Sequence, residues 1–372
     1  MAIDWSINRR GLFYGGAAAL VGGTLGLSQR VARANSQFPS LTLMSAARID
    51  DVDGGALLCE EGLCQFALPA RAHSLTRLPN SHSVILVGRR PGKFAAIVDA
   101  QAPQESARLF TPLANHRFAG HAAVGANTLV TSEMDEETAE GSIVLRDPES
   151  TAPKERLAVG IEPHDVLFAR GGETLVVAIG GIAHAAEVKG PAINAGNIDS
   201  HILELDPLSG AVLKRHALSA DMKSLSLRHM ALAPDGETVA FGMQDQDRSK
   251  TRPVMGLLRL GRGIDLLPLP TENEGGLRSY IGSVAIDTSG RFVAATSPKG
   301  GMVGLWSLSD GRWLGSFTLA DVCGLTADDA PASFWATSGY GEIVRLHAGD
   351  EGLVVRAQWH APAAFDNHLL RI

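Results

Sequence analysis

A weakly repeated unit constrains the fold of this chain more than any other feature of its sequence. Three segments, 164–181, 229–244 and 283–298, each read as two short alternating apolar strands joined by a glycine-containing turn. Alternation with a period of two and tight glycine turns are typical of β-hairpins. A third and a fourth strand, at 302–308 and 313–317, follow the last of these segments. Four strands in an antiparallel meander form the blade of a β-propeller.

Weaker copies of the unit occur along the rest of the chain, and the seven copies begin near residues 73, 121, 164, 229, 283, 323 and 368. Most gaps between successive copies are 40–54 residues long, close to the ~40–50 residues of a propeller blade. The one longer gap holds an insertion at 182–199. The sequence therefore predicts an all-β protein, a seven-bladed β-propeller with WD40- or YVTN-like blades. The alternative is a pair of β-sandwiches. It does not explain why strands and turns recur at the same positions in each copy of the unit.

The two ends of the chain are predicted to share one blade. The copy that begins at His368 ends after a single strand, because the chain stops at Ile372. The segment 41–68 can supply its missing outer strands. Pairing of the N- and C-terminal strands would close the ring and leave no open sheet edge. We therefore expect one propeller domain over residues 35–372.

The first 34 residues predict export through the twin-arginine (Tat) route. Arg9 and Arg10 precede an uncharged apolar run at 12–27, which is short for a membrane span. The small-x-small pattern at 32–34 predicts signal-peptide cleavage near Ala34, which places the mature protein in the periplasm. An uncleaved anchor or a chance arginine pair is the alternative. No other segment approaches the ~18 apolar residues of a membrane span.

The charge of the chain argues against nucleic acid as a partner. Residues 1–34 carry four arginines and one aspartate, so their removal lowers the formal net charge from −7 to −10. Nucleic-acid-binding domains are usually basic. The sequence also lacks GxSxG, CxxC, CxxCH, P-loop and HExxH motifs. We expect a monomer, with the Tat translocase as its partner during export.

The cysteines leave two possibilities open. Cys59 and Cys64 flank a predicted hairpin turn, and a local disulfide is reasonable in an oxidising periplasm. Two free thiols are the alternative. Cys323 is left over, and an odd cysteine in an exported protein suggests a role of its own.

The residues at the start of each copy are the candidate site. They are His73, His121, His164, His229, Ser283, Cys323 and His368. The first strand of a propeller blade is the innermost, so these positions should meet at one mouth of the central channel. Imidazole is a common ligand of zinc, copper, iron and nickel. We therefore predict a transition-metal site, iron or copper, with His121, His164, His229 and His368 as ligands and His73 as the weakest member. A structural hydrogen-bond ring or an organic-ligand site is the alternative.

Polar neighbours of these histidines are predicted to orient the ligands or to bind beside them. They are Arg117, Glu133, Asp165, Arg228, Cys323, Asp366 and Asn367. A carboxylate that holds the far nitrogen of an imidazole is the usual way to fix the tautomer of a metal ligand. The arginines at the mouth also favour an anion. Each of these residues, taken singly, also fits an ordinary surface or inter-blade charge.

Several runs of this sequence resemble the bacterial family known as domain of unknown function 1513. They are HRFAGHAAV (116–124), IEPHDV (161–166), GGI (180–182), SLRHMAL (226–232), YIGSVAID (280–287), SPKGG (297–301), LADVCGL (319–325), ATSGYGEI (336–343) and FDNHLL (365–370). The resemblance implies a Tat-exported, propeller-like periplasmic protein that accompanies iron-uptake proteins. It points to His121, His164, Arg228, His229 and 366–368 as site positions. The family more often has glutamate where Asp165 stands, which shortens the reach of this carboxylate.

Together these observations predict a periplasmic propeller that binds iron or copper at a histidine-lined channel mouth and serves metal uptake or handling. Two alternatives remain. One is a metal-dependent oxidoreductase or a lactonase-like hydrolase that uses the same mouth. The other is a protein-interaction scaffold without metal. An enzyme must keep an open coordination position, whereas a binding protein needs only a filled ligand set.

Overall fold

The computed structural model describes residues 41–90, 92–105, 107–183, 194, 197–273 and 275–372. The predicted signal peptide, with Arg9, Arg10 and Ala34, lies outside these residues, so export through the Tat route stays a prediction. Within the described part of the chain, no helix is both long and apolar enough to cross a membrane.

Antiparallel strands account for almost all of the regular structure. In chain order, the described strands are β1 (Leu43–Ile49), β2 (Val52–Cys59), β3 (Gly62–Ala67), β4 (Ala72–Arg77), β5 (Ser83–Gly88), β6 (Ala95–Asp99), β7 (Arg108–Phe110), β8 (His116–Val124), β9 (Leu129–Asp135), β10 (Glu140–Arg146), β11 (Pro153–Ile161), β12 (Pro163–Ala169), β13 (Thr174–Ile179), β14 (His201–Leu205), β15 (Val212–Ala217), β16 (Leu225–Leu232), β17 (Thr238–Asp245), β18 (Met255–Arg259), β19 (Gly263–Leu266), β20 (Ser283–Ile286), β21 (Phe292–Ser297), β22 (Met302–Ser307), β23 (Trp313–Thr318), β24 (Val322–Ala327), β25 (Ser333–Ser338), β26 (Glu342–Gly349), β27 (Gly352–His360) and β28 (Ala364–Arg371). Short 3-10 helices occur at Arg170–Gly172, Ala220–Met222 and Thr271–Asn273.

The described strands form seven four-stranded sheets, which are the blades of a β-propeller. The sheet orders are β28-β1-β2-β3, β4-β5-β6-β7, β8-β9-β10-β11, β12-β13-β14-β15, β16-β17-β18-β19, β20-β21-β22-β23 and β24-β25-β26-β27. The first strands β4, β8, β12, β16, β20, β24 and β28 contact one another in a closed ring around the channel. Each predicted start of a copy falls in one of these first strands, so the predicted all-β seven-bladed propeller is confirmed.

The two ends of the chain close the ring, as predicted. β28 is the innermost strand of its blade and pairs with β1. In this pairing, Leu43 lies opposite Arg371 and Ala47 lies opposite Phe365. The amide of Ile372 donates to the carbonyl of Thr42 at 3.0 Å. This blade is therefore built from one C-terminal strand and three N-terminal strands.

Apolar side chains between neighbouring blades form the core. All six residues of β13 are buried, because its blade is covered on both faces. The outermost strand β27 instead alternates between half-buried and exposed residues. Leu305 and Phe334, from adjacent blades, lie in one apolar cluster and are fully buried. Burial of each such side chain contributes about 1.5–3 kcal/mol.

The predicted hairpin turns are present and are held by aspartates. Asp235 accepts hydrogen bonds from the amides of Glu237 and Thr238, both at 2.8 Å. Gly236 has a φ of 71°, a left-handed conformation that favours glycine. A short polar side chain at the start of a turn thus fixes the β16–β17 hairpin.

The insertion predicted at 182–199 lies between β13 and β14. Because β12 and β13 are antiparallel and pair Pro163 with Ile179, this connection opens on the same face of the propeller as the start of β12. We call this the entry face. Part of the insertion, 184–193 and 195–196, lies outside the described residues.

Cys59 and Cys64 are both free, so the disulfide, one of the two predicted possibilities, is not present. Cys59 pairs across the hairpin with Gly62, whereas Cys64 pairs with Leu57. The two thiols therefore occupy diagonal rather than opposite positions, where side chains lie farther apart. Gln104 donates to the sulfur of Cys64 at 3.7 Å.

Candidate metal centre

The inner strands are irregular where the repeat begins. In six of the seven described sheets, the first strand carries extra residues between its paired positions. These residues are His73, 119–121, His164, 228–229, 323–324 and 366–368. The exception is β20, where Ser283 pairs regularly with Thr296. A bulge changes the direction of a side chain and often occurs beside a functional site.

The five bulge histidines form one cluster, which we call the histidine cluster: His73, His121, His164, His229 and His368. His73 lies against the other four, with ring centroids 4.9–5.8 Å away. The rings of His229 and His368 are 4.6 Å apart. One ring nitrogen from each of His73, His121, His229 and His368 belongs to a group whose atoms all lie within 4.8 Å of one another.

Two histidines stand out when the cluster is compared with the predicted ligand set. His73, the weakest member in the sequence, contacts every other ring of the cluster and belongs to the group of four. His164, predicted as a ligand, lies in the cluster but outside that group. The signal for His73 was its position at the start of a copy, although its flanking residues match the repeat poorly.

Unpartnered nitrogens are the most unusual feature of this cluster. Six ring nitrogens are buried with no hydrogen-bond partner in the described part of the chain: both nitrogens of His73, Nε2 of His121, His164 and His368, and Nδ1 of His229. A buried polar atom left unpaired costs about 1–3 kcal/mol. Six such atoms would consume much of the 5–15 kcal/mol that stabilises a typical domain. The arrangement therefore indicates a bound group that satisfies them.

Hydrogen bonds from other blades fix the tautomers of two histidines. His121 Nδ1 lies 2.9 Å from Asp165, so the proton is on Nδ1 and the lone pair of Nε2 is free. Arg228 donates to His164 Nδ1 at 3.0 Å. Because a guanidinium only donates, His164 carries its proton on Nε2, where it cannot bind a metal. Arg228 is itself held by Glu162 at 2.7 Å.

Four histidines of the cluster, His73, His164, His229 and His368, are neutral at ordinary pH. Burial is the main cause that lowers the pKa of His73, His164 and His229 well below 6.5, and neighbouring imidazoles and arginines lower it further. The same causes lower the pKa of His368 to about 3. Burial opposes ionisation of Asp165, but His121 and the amide of Met230 hold its pKa below the ordinary value. A neutral imidazole beside an ionised carboxylate is the form that binds metal ions.

Two of the other predicted neighbours, Glu133 and Cys323, have structural partners instead. Glu133 is buried and accepts from Arg146 and Thr131. Cys323 is buried and its thiol donates to the carbonyl of Asp321 at 3.0 Å. Arg117 is buried and its hydrogen-bond acceptor is the sulfur of Met134 at 3.7 Å.

Asp366 and Asn367 extend the site toward the entry face. The carboxylate of Asp366 accepts from Arg71 and, at 3.2 Å, from Arg89. Asn367 donates its amide to the hydroxyl of Tyr280 at 3.0 Å. Sequence reasoning missed Arg71, Arg89 and Tyr280, because they stand in connections that carry no repeat signal.

A cavity borders the other side of the histidine cluster. It has a volume of about 320 Å³, and His121, His229 and His368 line it together with Thr76 and Phe168. Thr76 and Phe168 follow the bulges along their strands, so the cavity continues the channel away from the entry face. The cluster therefore lies between an arginine-rich entry face and a cavity on the channel.

The fold and the site define the class of this protein, which is a seven-bladed β-propeller with a buried histidine cluster on its channel. A family model described as protein of unknown function DUF1513 matches residues 66–372, and the chain belongs to that family. The resemblance seen in the sequence is thus confirmed. No curated protein sequence matches this chain.

Solved structures share the fold at low sequence identity. A hypothetical selenium-binding protein from Sulfolobus tokodaii has a TM-score of 0.68 at 13% identity, covering 90% of this chain and 94% of that chain. Hydrazine synthase of Kuenenia stuttgartiensis has a TM-score of 0.60 at 12% identity, with 82% and 89% covered. A chain of a mitotic checkpoint complex has a TM-score of 0.56 at 12% identity, with 95% and 90% covered. These similarities support the propeller fold alone.

Proposed function

We propose that this protein binds one transition-metal ion, iron or copper, through His73, His121, His229 and His368. The observation that carries the proposal is the convergence of four buried imidazoles, with one nitrogen of each in a group no wider than 4.8 Å. Nitrogen ligands about 2.1 Å from a shared ion lie at most about 4.2 Å apart. Nitrogens as far apart as 4.8 Å would therefore have to approach by at least about 0.6 Å, and by more in a tetrahedral site, where ligand nitrogens lie about 3.4 Å apart.

The ligand set selects among metals. Four neutral imidazoles suit copper, iron, zinc and nickel, whereas magnesium and calcium prefer carboxylate, carbonyl and water oxygens. The carboxylate of Asp165 would act on the ion only through His121, at 2.9 Å. A carboxylate in this position raises the basicity of the ligand and fixes its orientation.

A structural hydrogen-bond ring explains the cluster less well. In such a ring, each imidazole would bond main-chain atoms of the next blade. Within the described residues, six of the ten ring nitrogens have no partner, and Nδ1 of His121 and of His164 contact side chains, those of Asp165 and Arg228. An ion satisfies several unpaired lone pairs at once, which a hydrogen-bond ring does not.

The role that fits this site is metal uptake or handling in the periplasm. Export of a folded protein through the Tat route, as the sequence predicts, would allow the ion to be inserted before export. Periplasmic iron-uptake proteins are the partners that the family resemblance suggests. The buried position of the ligands favours retention of an ion over rapid exchange.

A metal-dependent enzyme is the second candidate, and the 320 Å³ cavity favours it. Three of the four proposed ligands line this cavity, so a fifth coordination position would face a space large enough for a small substrate. A lactonase-like hydrolase or an oxidoreductase would use this geometry, whereas a scaffold would need neither the cavity nor the ligands.

The test is the metal content of the full chain purified from periplasm. We expect about one iron or copper per protein by elemental analysis, and less than a tenth of that in the His121→Gln/His229→Gln variant. His82→Gln/His360→Gln is the matched control, because His82 and His360 are exposed. Metal-free protein should also bind added iron or copper in competition with zinc and nickel. Native protein without metal, combined with no histidine-dependent binding of any of these ions, would overturn the proposal.

A further inference from the structure

We propose that the entry face carries a second site, distinct from the four histidine ligands, that binds a small oxyanion or carboxylate. Six cationic side chains gather there, and we call them the cationic mouth: Arg71, Arg89, Arg90, Arg117, Arg228 and Lys299. This site does not depend on the metal proposed above.

The topology explains why these residues meet. The segment that enters a first strand and the connection from a second to a third strand open on the same face of a blade. Arg71 immediately precedes β4, and Arg89 and Arg90 immediately follow β5. The amide of Arg89 donates to the carbonyl of Arg71 at 2.9 Å, which ties the two segments together. Arg117 lies at the start of β8 and Arg228 in the bulge of β16.

The cations of the mouth lie close enough to disturb one another. Burial lowers the pKa of Arg90, Glu162 opposes this, and the charges of Arg228, Arg117 and Arg89 lower the pKa further. The pKa of Lys299 is also lowered, first by burial and then by Arg248 and Arg228. Lys299 Nζ lies 4.7 Å from the centroid of the Tyr280 ring. Like charges held together in this way favour a bound anion.

Two carboxylates at this mouth, among the described residues, do not balance the six cations. Glu162 pairs with Arg228 at 2.7 Å and with Arg90 at 3.7 Å. Asp366 pairs with Arg71 and Arg89. A local excess of about four positive charges therefore remains, in a chain whose formal net charge is −7. The sign of this local excess is opposite to the net negative charge of the chain as a whole.

Two buried guanidinium groups supply independent evidence. Arg117 is 6% exposed, and within the described residues its hydrogen-bond acceptor is a thioether sulfur, with no carboxylate within 4.0 Å. Arg228 is 7% exposed and pairs with Glu162, but its Nε is buried with no acceptor among the described residues. A buried charge that lacks its counter-ion, as in Arg117, is strongly unfavourable, and a buried donor left unpaired, as in Arg228, is unfavourable as well. An anion at the mouth would satisfy both groups.

The chemistry of the mouth selects oxygen anions. A guanidinium presents paired donors that match the geometry of carboxylate and phosphate. The hydroxyl of Tyr280 accepts from Asn367, so its own proton is available to a ligand. The side chains of Arg71, Arg89 and Arg90 are 42%, 41% and 52% exposed, which leaves the mouth open to solvent. A ligand there would lie beside His164, because Arg228 contacts both.

Calorimetric titration of the metal-free full chain tests this proposal, with citrate and inorganic phosphate as separate probes. We expect one saturable site for at least one probe, weakened when NaCl is raised from 20 to 200 mM. In the Arg89→Gln/Arg90→Gln variant, affinity should fall at least about 10-fold. This variant keeps the fold intact because Asp366 retains Arg71 and Glu162 retains Arg228. Arg262→Gln/Arg356→Gln removes two exposed charges elsewhere and should change nothing.

The separate titrations with citrate and with phosphate distinguish which class of anion the site binds. Binding of citrate alone supports an organic carboxylate, and binding of phosphate alone supports an inorganic oxyanion. Binding of neither probe, or equal binding by the Arg89→Gln/Arg90→Gln variant and the wild-type protein, overturns the proposal. The metal content of the variant, measured separately, should equal that of the wild-type protein. A failure of the anion site is thereby distinguished from a failure of the metal site.

Discussion

His121 Nδ1 lies 2.9 Å from the carboxylate of Asp165, and the two residues belong to adjacent blades. The contact links the bulge of β8 to the residue that directly follows the bulge of β12. Asp165 also accepts from the amides of Val166 and Met230, at 2.8 and 2.7 Å. Both of its oxygens are therefore fixed as acceptors, and the tautomer of His121 depends on them.

Substitution of Asp165 by asparagine should weaken metal binding without removing any ligand. The amide group must place its NH2 against either His121 or a main-chain amide, because both oxygens of Asp165 accept hydrogen bonds. Loss of such a partner typically costs 10–100-fold in metal affinity. Competitive titration with a chromophoric chelator measures this change. Unchanged affinity in Asp165→Asn, combined with lower stability, would show that the carboxylate is only structural.

His73 and His164 should respond differently to substitution. His73→Gln removes a proposed ligand, so we expect the bound metal to fall below a tenth of the wild-type amount. His164→Gln removes a side chain that Arg228 holds with its proton on Nε2, so the stoichiometry should stay near one. Elemental analysis after gel filtration decides between them, with His82→Gln as control. If His164→Gln lost the metal and His73→Gln kept it, the ligand assignment would be reversed.

These two residues also mark the limit of what the sequence predicts. Alternation and turn spacing predicted the blades, the ring closure and the shared position of the histidines, because all of these follow from local periodicity. The choice between His73 and His164 depends on a bulge and on a hydrogen bond from Arg228, 64 residues away. The cationic mouth depends on connections such as 89–90, whose sequence does not repeat. Neither feature has a local signal.

Acid should destabilise the metal-free protein. Burial holds the pKa of His73, His164 and His229 well below 6.5 and that of His368 at about 3. The unfolded chain therefore binds more protons than the folded one below pH ~6.5. This contribution to stability is complete above pH ~6.5 and is lost as the pH falls toward the folded-state values, at up to about 1.4 kcal/mol per pH unit for each histidine.

Urea unfolding between pH 7.5 and 5 measures this dependence. The His73→Gln/His368→Gln variant should show a shallower loss of stability than the wild-type protein, because two of the four titrating groups are gone. His82→Gln/His360→Gln should match the wild-type slope. Identical slopes in all three proteins would mean that the pKa values of these imidazoles do not differ between the folded and the unfolded protein.

Gly120 offers a way to move His73 without substituting it. Gly120 lies in the bulge of β8, and a Cβ atom there would meet Cδ2 of His73 at 2.7 Å. It has a φ of 120°, so alanine would also strain the backbone. Gly62 is a matched control, because it has a φ of 128° and a Cβ atom added there would meet nothing within 4 Å. Both alanine variants should therefore lose similar stability through backbone strain, of about 1–3 kcal/mol.

Only Gly120→Ala should also displace the imidazole of His73, which contacts the four other rings. We expect Gly120→Ala to lower metal affinity at least about 10-fold, and Gly62→Ala to leave it unchanged. Chelator competition measures the affinity, and urea unfolding measures the shared strain. Equal metal affinity in the two variants, at equal stability, would show that the position of His73 does not matter to the ion, because the variants differ in the contact with its ring.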